Sequence, residues 1–177
     1  MDENVSLIEI PITGMSSGKH GFDYELDGSF FKAFGNQDIK DASISVHVEV
    51  EKESLYLGVE CSMTGEVVVE CDRCLDDLPL DVDIVKNLTV KFTRVEEEPE
   101  DDEIIILDKG ESVLDLDQFV YDHICLSLPL QKVHPEGQCN AQMLAKLSEL
   151  NGASHEDKDE DNPFSGLKDL LDGNDDK

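Results

Sequence analysis

From Asp41 onward the chain alternates. In "DASISVHVEVEKESLYLGVECSM" the residues Ile44, Val46, Val48 and Val50 share one parity, and Leu55, Leu57, Val59, Cys61 and Met63 share the other. The polar "EKES" lies between the two runs. Period-two patterning broken by a polar stretch predicts a hairpin of half-buried strands. A further strand is expected to start near Gly65 in "TGEVVVEC", with Val67 and Val69 inward. After it, Leu78, Leu80, Val82, Ile84, Leu88, Val90 and Phe92 all occupy even positions, and Lys86 alone interrupts them. A bulge or an edge position there would accommodate the charge. The middle of the chain therefore predicts an antiparallel meander with one dry and one wet face.

The flanks are shorter. Residues 5–12 read as a strand whose buried face is ambiguous, because Ile8, Ile10 and Ile12 oppose Val5 and Leu7 in parity. "FDYELDG" from Phe22 reads as another strand, and "FFKAFG" as a short helix closed by Gly35. Residues 95–103, "VEEEPEDDE", are acidic at seven of nine positions and predict a solvated loop or linker. "IIIL" at 104–107 offers one more short strand. The period then changes: Leu116, Phe119, Val120, His123 and Ile124 recur at three and four residues, with Asp115 and Asp117 where a helix N-terminus favours negative charge. Pro129 stops that helix, since the residue before a proline is driven to extended geometry. "NAQMLAKLSE" at 140–149 predicts a second helix, capped by Asn140 and closed by "NG".

The expected class is α+β: a β-rich antiparallel meander, as a sheet or a partly closed barrel, with one or two packed helices and an acidic, largely disordered C-terminal tail. Residues 1–150 are read as one domain, 151–162 as an acidic linker of disordered composition, and 163–177 as a short amphipathic segment. In that segment Phe164, Leu167, Leu170 and Leu171 share a helical face suited to docking on a partner.

Charge narrows the function. The 177 residues carry 42 acidic against 14 basic groups, a net charge of −28, and only Arg73 and Arg94 are arginines. Neutralising phosphates takes clustered Lys and Arg, so this balance argues against generic nucleic-acid binding and is compatible with a basic protein partner. The same charge would also simply keep a protein soluble. The start, "MDENVSLIEIP", is acidic and lacks the pattern of a secretory signal. No apolar run reaches the ~20 residues that span a bilayer. Five cysteines do not read as a disulfide framework, and a cytoplasmic location is expected.

The chemistry candidates centre on "VVVECDRCLDDLPLDVD", residues 67–83. Cys71 and Cys74 form a Cys-x-x-Cys on a turn after a strand, which brings two sulfurs within reach of one ion. Two ligands do not close a tetrahedral site. His134 and Cys139 in "LQKVHPEGQC" are the best second pair, ahead of His123, Cys125 and His155. Zinc is the metal this donor pattern calls for. Against it stand two other readings, reduced cysteines holding a turn and a redox pair, although a redox motif should open a helix within a βαβ unit. Cys61 reads as a buried core thiol and Cys125 as partly packed. Asp115, Asp117 and Asp122 with His123 form no convincing acid–base group. The chain contains no Gly-rich phosphate loop, nucleophile elbow or His-Glu-x-x-His. A non-enzymatic role is expected.

"VECDRCL", then an acidic stretch, then "LDLDQFVYDHICLSLPLQKVHPEGQC" resembles the bacterial YceD family, the large ribosomal RNA subunit accumulation proteins. "NPFSGLKDLL" is similar to that family's terminal motif, an Asp-Pro-Arg followed by a spaced leucine pair. The blocks span about residues 40–171. The resemblance implies a role in ribosome biogenesis, supporting large-subunit ribosomal RNA processing or accumulation without a known catalysed reaction. Relatives richer in cysteine in the loop after "LPL" could bind zinc through four cysteines. Here His134 and Cys139 take that place, and "NPF" replaces Asp-Pro-Arg. Combined with the charge, the resemblance implies contact with a basic ribosomal protein or a large-subunit precursor particle. The acidic segments 95–103 and 155–177 would be the contacts, anchored by Phe164, Leu167, Leu170 and Leu171. The alternative is a zinc-knuckle module that binds ribosomal RNA directly, with Arg73, Lys86, Lys91 and Arg94 as a local basic patch.

Overall fold

A computed structural model describes residues 8–53, 56–93, 103–108 and 110–152. Ten elements follow in order: β1 (Glu9–Pro11), β2 (Gly18–Asp27), α1 (Gly28–Ala33), β3 (Ile39–Lys52), β4 (Tyr56–Glu70), β5 (Asp77–Thr93), β6 (Ile104–Asp108), β7 (Val113–Asp115), α2 (Asp117–Ser127) and α3 (Ala141–Gly152). The class is α+β, as expected. Five strands form one sheet in the order β2-β3-β4-β5-β6, and β1 pairs with β7 in a two-stranded sheet. Among the described residues β2 and β6 do not pair, so the large sheet is open rather than closed into a barrel.

The alternation decides which face is dry. Ile44, Val46, Val48 and Val50 of β3 lie against Leu57, Val59, Cys61 and Met63 of β4, and all are buried. The opposite face carries Ser43, Ser45 and His47, all exposed, and the half-buried Glu49, and is laced by contacts such as Ser45 Oγ donating to Glu25 at 2.8 Å. Burial of each such Val, Leu or Met side chain contributes about 1.5–3 kcal/mol. The expected break between the hairpin and a strand at Gly65 is absent: β4 runs unbroken for 15 residues. Gly65 makes this continuity possible. Its φ is +153°, and a Cβ there would sit 2.1 Å from the Ser43 carbonyl oxygen, so only glycine lets β3 and β4 approach at that point.

The meander is not antiparallel throughout. β6 pairs with β5 in parallel, through Thr89 to Thr93 only. Among the described residues, no strand therefore pairs with the second side of β5 at Lys86. This lysine is exposed, and the register with β4 stays continuous past it. An edge position, not a bulge, accommodates the charge.

The dry face is covered by α1, α2 and the small sheet. Asp27 caps α1 by accepting from Ser29 N at 2.8 Å. The helix closes with Gly35 N donating to Lys32 O at 2.9 Å and Asn36 N to Phe31 O at 3.1 Å, with Gly35 at φ +75°, the paired bonds of a Schellman ending. Phe34 stacks on Tyr121 of α2 at 4.3 Å between ring centroids. Asp115 Oδ1 accepts from Asp117 N at 2.9 Å at the start of α2. Asp117 was expected to serve the helix N-terminus; its carboxylate is buried and accepts from Ile8 N at 2.8 Å, tying β1 to the helix. Leu128, ahead of Pro129, is extended at φ −72°, ψ 144°, and ends α2. Asn140 Oδ1 caps α3, accepting from Gln142 N at 3.0 Å. α3 continues through Gly152, so the first two residues of the expected linker are helical.

Candidate metal centre

β4 ends at Glu70, which pairs with Asp77, the first residue of β5. The six residues between them form a tight knuckle. Cys71 N donates to Asp76 O and Leu75 N to Cys71 O, each at 2.9 Å. Leu75 takes a positive φ of 63°, the single such non-glycine residue described. This closure turns both Cys71 and Cys74 inward, where they are fully buried.

A second loop, after α2, is fastened to the knuckle. Asp72 N donates to Lys132 O, and Lys132 N returns a bond to Asp72 Oδ2, both at 2.7 Å. Asn140 Nδ2 reaches Asp76 Oδ2 at 3.1 Å. Within the loop, Gln138 N donates to Pro135 O at 3.1 Å with Gly137 at φ +82°, the backbone that a type II turn demands of its third residue. That turn folds Cys139 back beside His134.

The result is one cluster. The ligand atoms of Cys71, Cys74, His134 and Cys139 all lie within 4.8 Å of one another. Cys74 Sγ faces His134 Nδ1 at 3.4 Å. In a tetrahedral site with metal–sulfur bonds near 2.3 Å and metal–nitrogen bonds near 2.0 Å, neighbouring donors stand about 3.5–3.8 Å apart. The cluster needs only a small contraction to reach that geometry. The far nitrogen of the imidazole, Nε2, lies 3.2 Å from Asp77 O. A carbonyl only accepts, so Nε2 carries the proton and Nδ1 presents its lone pair to the sulfurs. This is the arrangement that orients a metal-binding histidine.

The thiols are electrostatically unequal. Burial is the largest single influence on Cys71 and pushes it up. The backbone N–H groups of Cys74, Arg73 and His134, with the Cys74 thiol, outweigh it and bring Cys71 down to about 6. A knuckle whose amides converge on sulfur stabilises thiolate. Cys139 is pushed up by burial first, then by the neighbouring sulfurs of Cys74 and Cys71. Sulfurs crowded without a cation disfavour a further thiolate, as at Cys139, and a divalent ion at the centre removes that resistance. The four residues can therefore hold one metal ion.

The other candidates scatter. Cys61 is buried in mid-strand and its thiol is pushed up to about 12, chiefly by burial. Cys125 is half-buried and accepts from Asn36 Nδ2 at 3.7 Å. His123 Nδ1 bonds Phe119 O at 2.8 Å within its own helix, and Asp122 accepts from Gln118 at 2.9 Å, so no acid–base group forms. His155, Phe164, Leu167, Leu170 and Leu171 lie outside the described residues, as do the acidic segment 155–177 and residues 95–102. The basic patch is not assembled either. Arg73 sits on the knuckle, whereas Lys86 and Lys91 lie about 30 Å and 45 Å along β5 from its first residue at 3.3 Å per residue, on opposite faces; Arg94 is outside the described residues. What the sequence reading missed is the fastening: Asp72, Asp76 and Asn140. Asp72 and Asp76 lie within and beside the Cys-x-x-Cys, but their long-range partners leave no periodic trace.

The family model described as large ribosomal RNA subunit accumulation protein YceD matches residues 59–171, a span that holds both halves of the cluster and well over half of the chain. The chain belongs to the YceD family. Its family description concerns accumulation of the large-subunit ribosomal RNA and names no reaction. Neither the curated proteins nor the solved structures include a match. No helix described in this YceD-family chain is long and apolar enough to cross a membrane.

Proposed function

We propose that this chain is a non-enzymatic ribosome-biogenesis factor of the cytoplasm, supporting large-subunit ribosomal RNA processing or accumulation through a basic ribosomal protein or precursor particle. The observation that carries the reading is the family match over residues 59–171. The net charge of −28 supports the choice of partner: a field of that sign repels a phosphate backbone and steers basic proteins inward. Dispersal of Arg73, Lys86 and Lys91 weighs against direct binding of ribosomal RNA. The acidic segments 95–103 and 155–177 act as contacts, with Phe164, Leu167, Leu170 and Leu171 as the apolar anchor.

Zinc is the ion we assign to Cys71, Cys74, His134 and Cys139. Soft thiolates with one imidazole in a closed, four-donor cluster suit a structural zinc site, which has no open position for substrate. The ion would supply a cross-link between the β4–β5 knuckle and the loop that follows α2. The chain's own groups prepare it: knuckle amides stabilise thiolate at Cys71, and Asp77 O sets the tautomer of His134.

The test is affinity purification of the tagged full chain, with mass spectrometry and ribosomal RNA profiling, against a chain truncated after Gly152. Recovery of basic ribosomal proteins or large-subunit precursors, reduced by truncation, supports the reading. High-affinity recovery of bare ribosomal RNA at physiological salt, with no ribosomal protein, would overturn it.

A further inference from the structure

β5 is longer than the strand beside it. β4 pairs with one side of β5 from Asp77 to Lys91, whereas β6 covers its other side only at Thr89–Thr93. Successive residues of an antiparallel strand aim their backbone N–H and C=O groups alternately at one neighbour and away from it. Two contacts set the phase. Thr89 N donates to Glu103 O on the β6 side at 2.8 Å, and Asp77 O accepts from His134 Nε2 at 3.2 Å. Odd-numbered residues of β5 therefore turn their backbone away from β4. Pro79 is one of them, at a place where a missing N–H costs the ladder nothing. Between Pro79 and Thr89 stand Asp81, Asp83, Val85 and Asn87. All four are exposed, and among the described residues no strand pairs with them on this side.

We propose that the edge Asp81–Asn87 receives an extended lysine- or arginine-rich segment of another protein as an added strand. The inference rests on the protein-partner reading above and gives it a place and a mode. Main-chain bonds to the four outward residues supply affinity, as in other sheet additions. Side chains supply the sign. Asp81 and Asp83 project onto the wet face, with Glu66 directly across from Asp81 on β4. The even positions beside them, Val82 and Ile84, face the dry side, buried and half-buried respectively. The segment that fits alternates basic with apolar residues. Pro79 at one end and β6 at the other limit the addition to about 23 Å of strand, seven residues at 3.3 Å each.

Charge selects among occupants. A second copy docking edge to edge over this stretch, antiparallel, would set Asp81 against Asn87 and Asp83 against Val85, adding two further carboxylates to the same wet face with no cation to offset them. The chain's own residues 95–103 carry the same sign. A basic segment alone gains on both counts.

The test titrates the isotopically labelled full chain with two synthetic octapeptides of alternating lysine and valine, one of them methylated on alternate backbone nitrogens. The charges are identical, so only strand pairing distinguishes them. The unmodified peptide is expected to slow exchange of the Asp81, Asp83, Val85 and Asn87 amides, and the methylated one to bind about tenfold more weakly. Val85→Pro should weaken the unmodified peptide similarly while leaving the β4–β5 resonances in place. Should that variant fail to fold, the peptide pair decides alone. Equal binding of the two peptides, shifts scattered over the acidic surface, or a dimer of the free chain through this edge would each overturn the proposal. The biological reading fails separately: a wild-type chain that recovers no ribosomal protein from cells, yet still pairs with the unmodified peptide, loses the partner and keeps the edge.

Discussion

Cys61 lies in the middle of β4, and Cys71 lies one residue past its end. Both are fully buried, yet burial pushes the first thiol up to about 12 while the second is brought down to about 6. Around Cys61 the strand's amides are committed to the ladder with β3 and β5, so nothing remains to stabilise a charge on sulfur. At the knuckle the backbone has left the ladder, and the amides of Arg73 and Cys74 converge on the Cys71 sulfur. Chemistry at a buried cysteine in this protein follows from what its neighbouring amides are free to do, not from how deep it sits. The same strand thus supplies a hydrocarbon-like core at its centre and a ligand-ready loop at its end.

The largest separation of the two regions comes from Cys74→Ser. Losing one of four donors should abolish stoichiometric metal and release the post-α2 loop. Because a structural ion's binding energy is largely folding energy, the cost should reach about 4 kcal/mol or more, a fall in Tm of about 10 °C or more for a chain of this size. Chelation should reproduce that loss in the wild type and add little to the variant. Calorimetry with and without chelator measures both.

Cys61→Ala should act on stability alone. Metal content stays at one ion per chain, and the loss at neutral pH is about 1 kcal/mol for a small buried group. Alkali sharpens the contrast. The unfolded thiol titrates near 9 and the folded one at about 12. Above pH 9 the unfolded chain therefore sheds a proton that the folded chain retains, and stability falls as pH rises through that window. The wild-type minus Cys61→Ala difference should decline between pH 9 and 12; a difference that stays flat would show that Cys61 is not held protonated by the core.

Asp72→Ala should have the smallest effect. It removes the carboxylate that accepts from Lys132 N while sparing every donor atom of the cluster. The expected cost is about 0.5–1 kcal/mol for one exposed hydrogen bond, with metal still bound but released faster to a competing chelator. An unchanged release rate would mean that the loop is positioned by the metal alone.

The hairpin parity of β3 and β4 was legible because each position has one local choice, wet or dry. Its continuity through Gly65 was not, since a glycine reads equally as a break or as a close approach. β6 was visible as an apolar run, "IIIL", but its parallel pairing depends on how far β5 extends, which no local period records. β7, with three residues, is too short to show alternation at all. At the site, residue chemistry and the turn signals of Pro135 and Gly137 were enough to join His134 and Cys139 to Cys71 and Cys74. The bonds of Asp72 to Lys132 and of Asp76 to Asn140 span some sixty residues each. They are set by the meeting of two loops, which only the fold brings about.

Metal analysis with X-ray absorption on the full chain, purified without added metal, tests the central claim most directly. The account predicts one zinc per chain with three sulfur neighbours at about 2.3 Å and one nitrogen at about 2.0 Å. Metal-free protein with all five cysteines reduced, or an ion surrounded by oxygen donors, would contradict it.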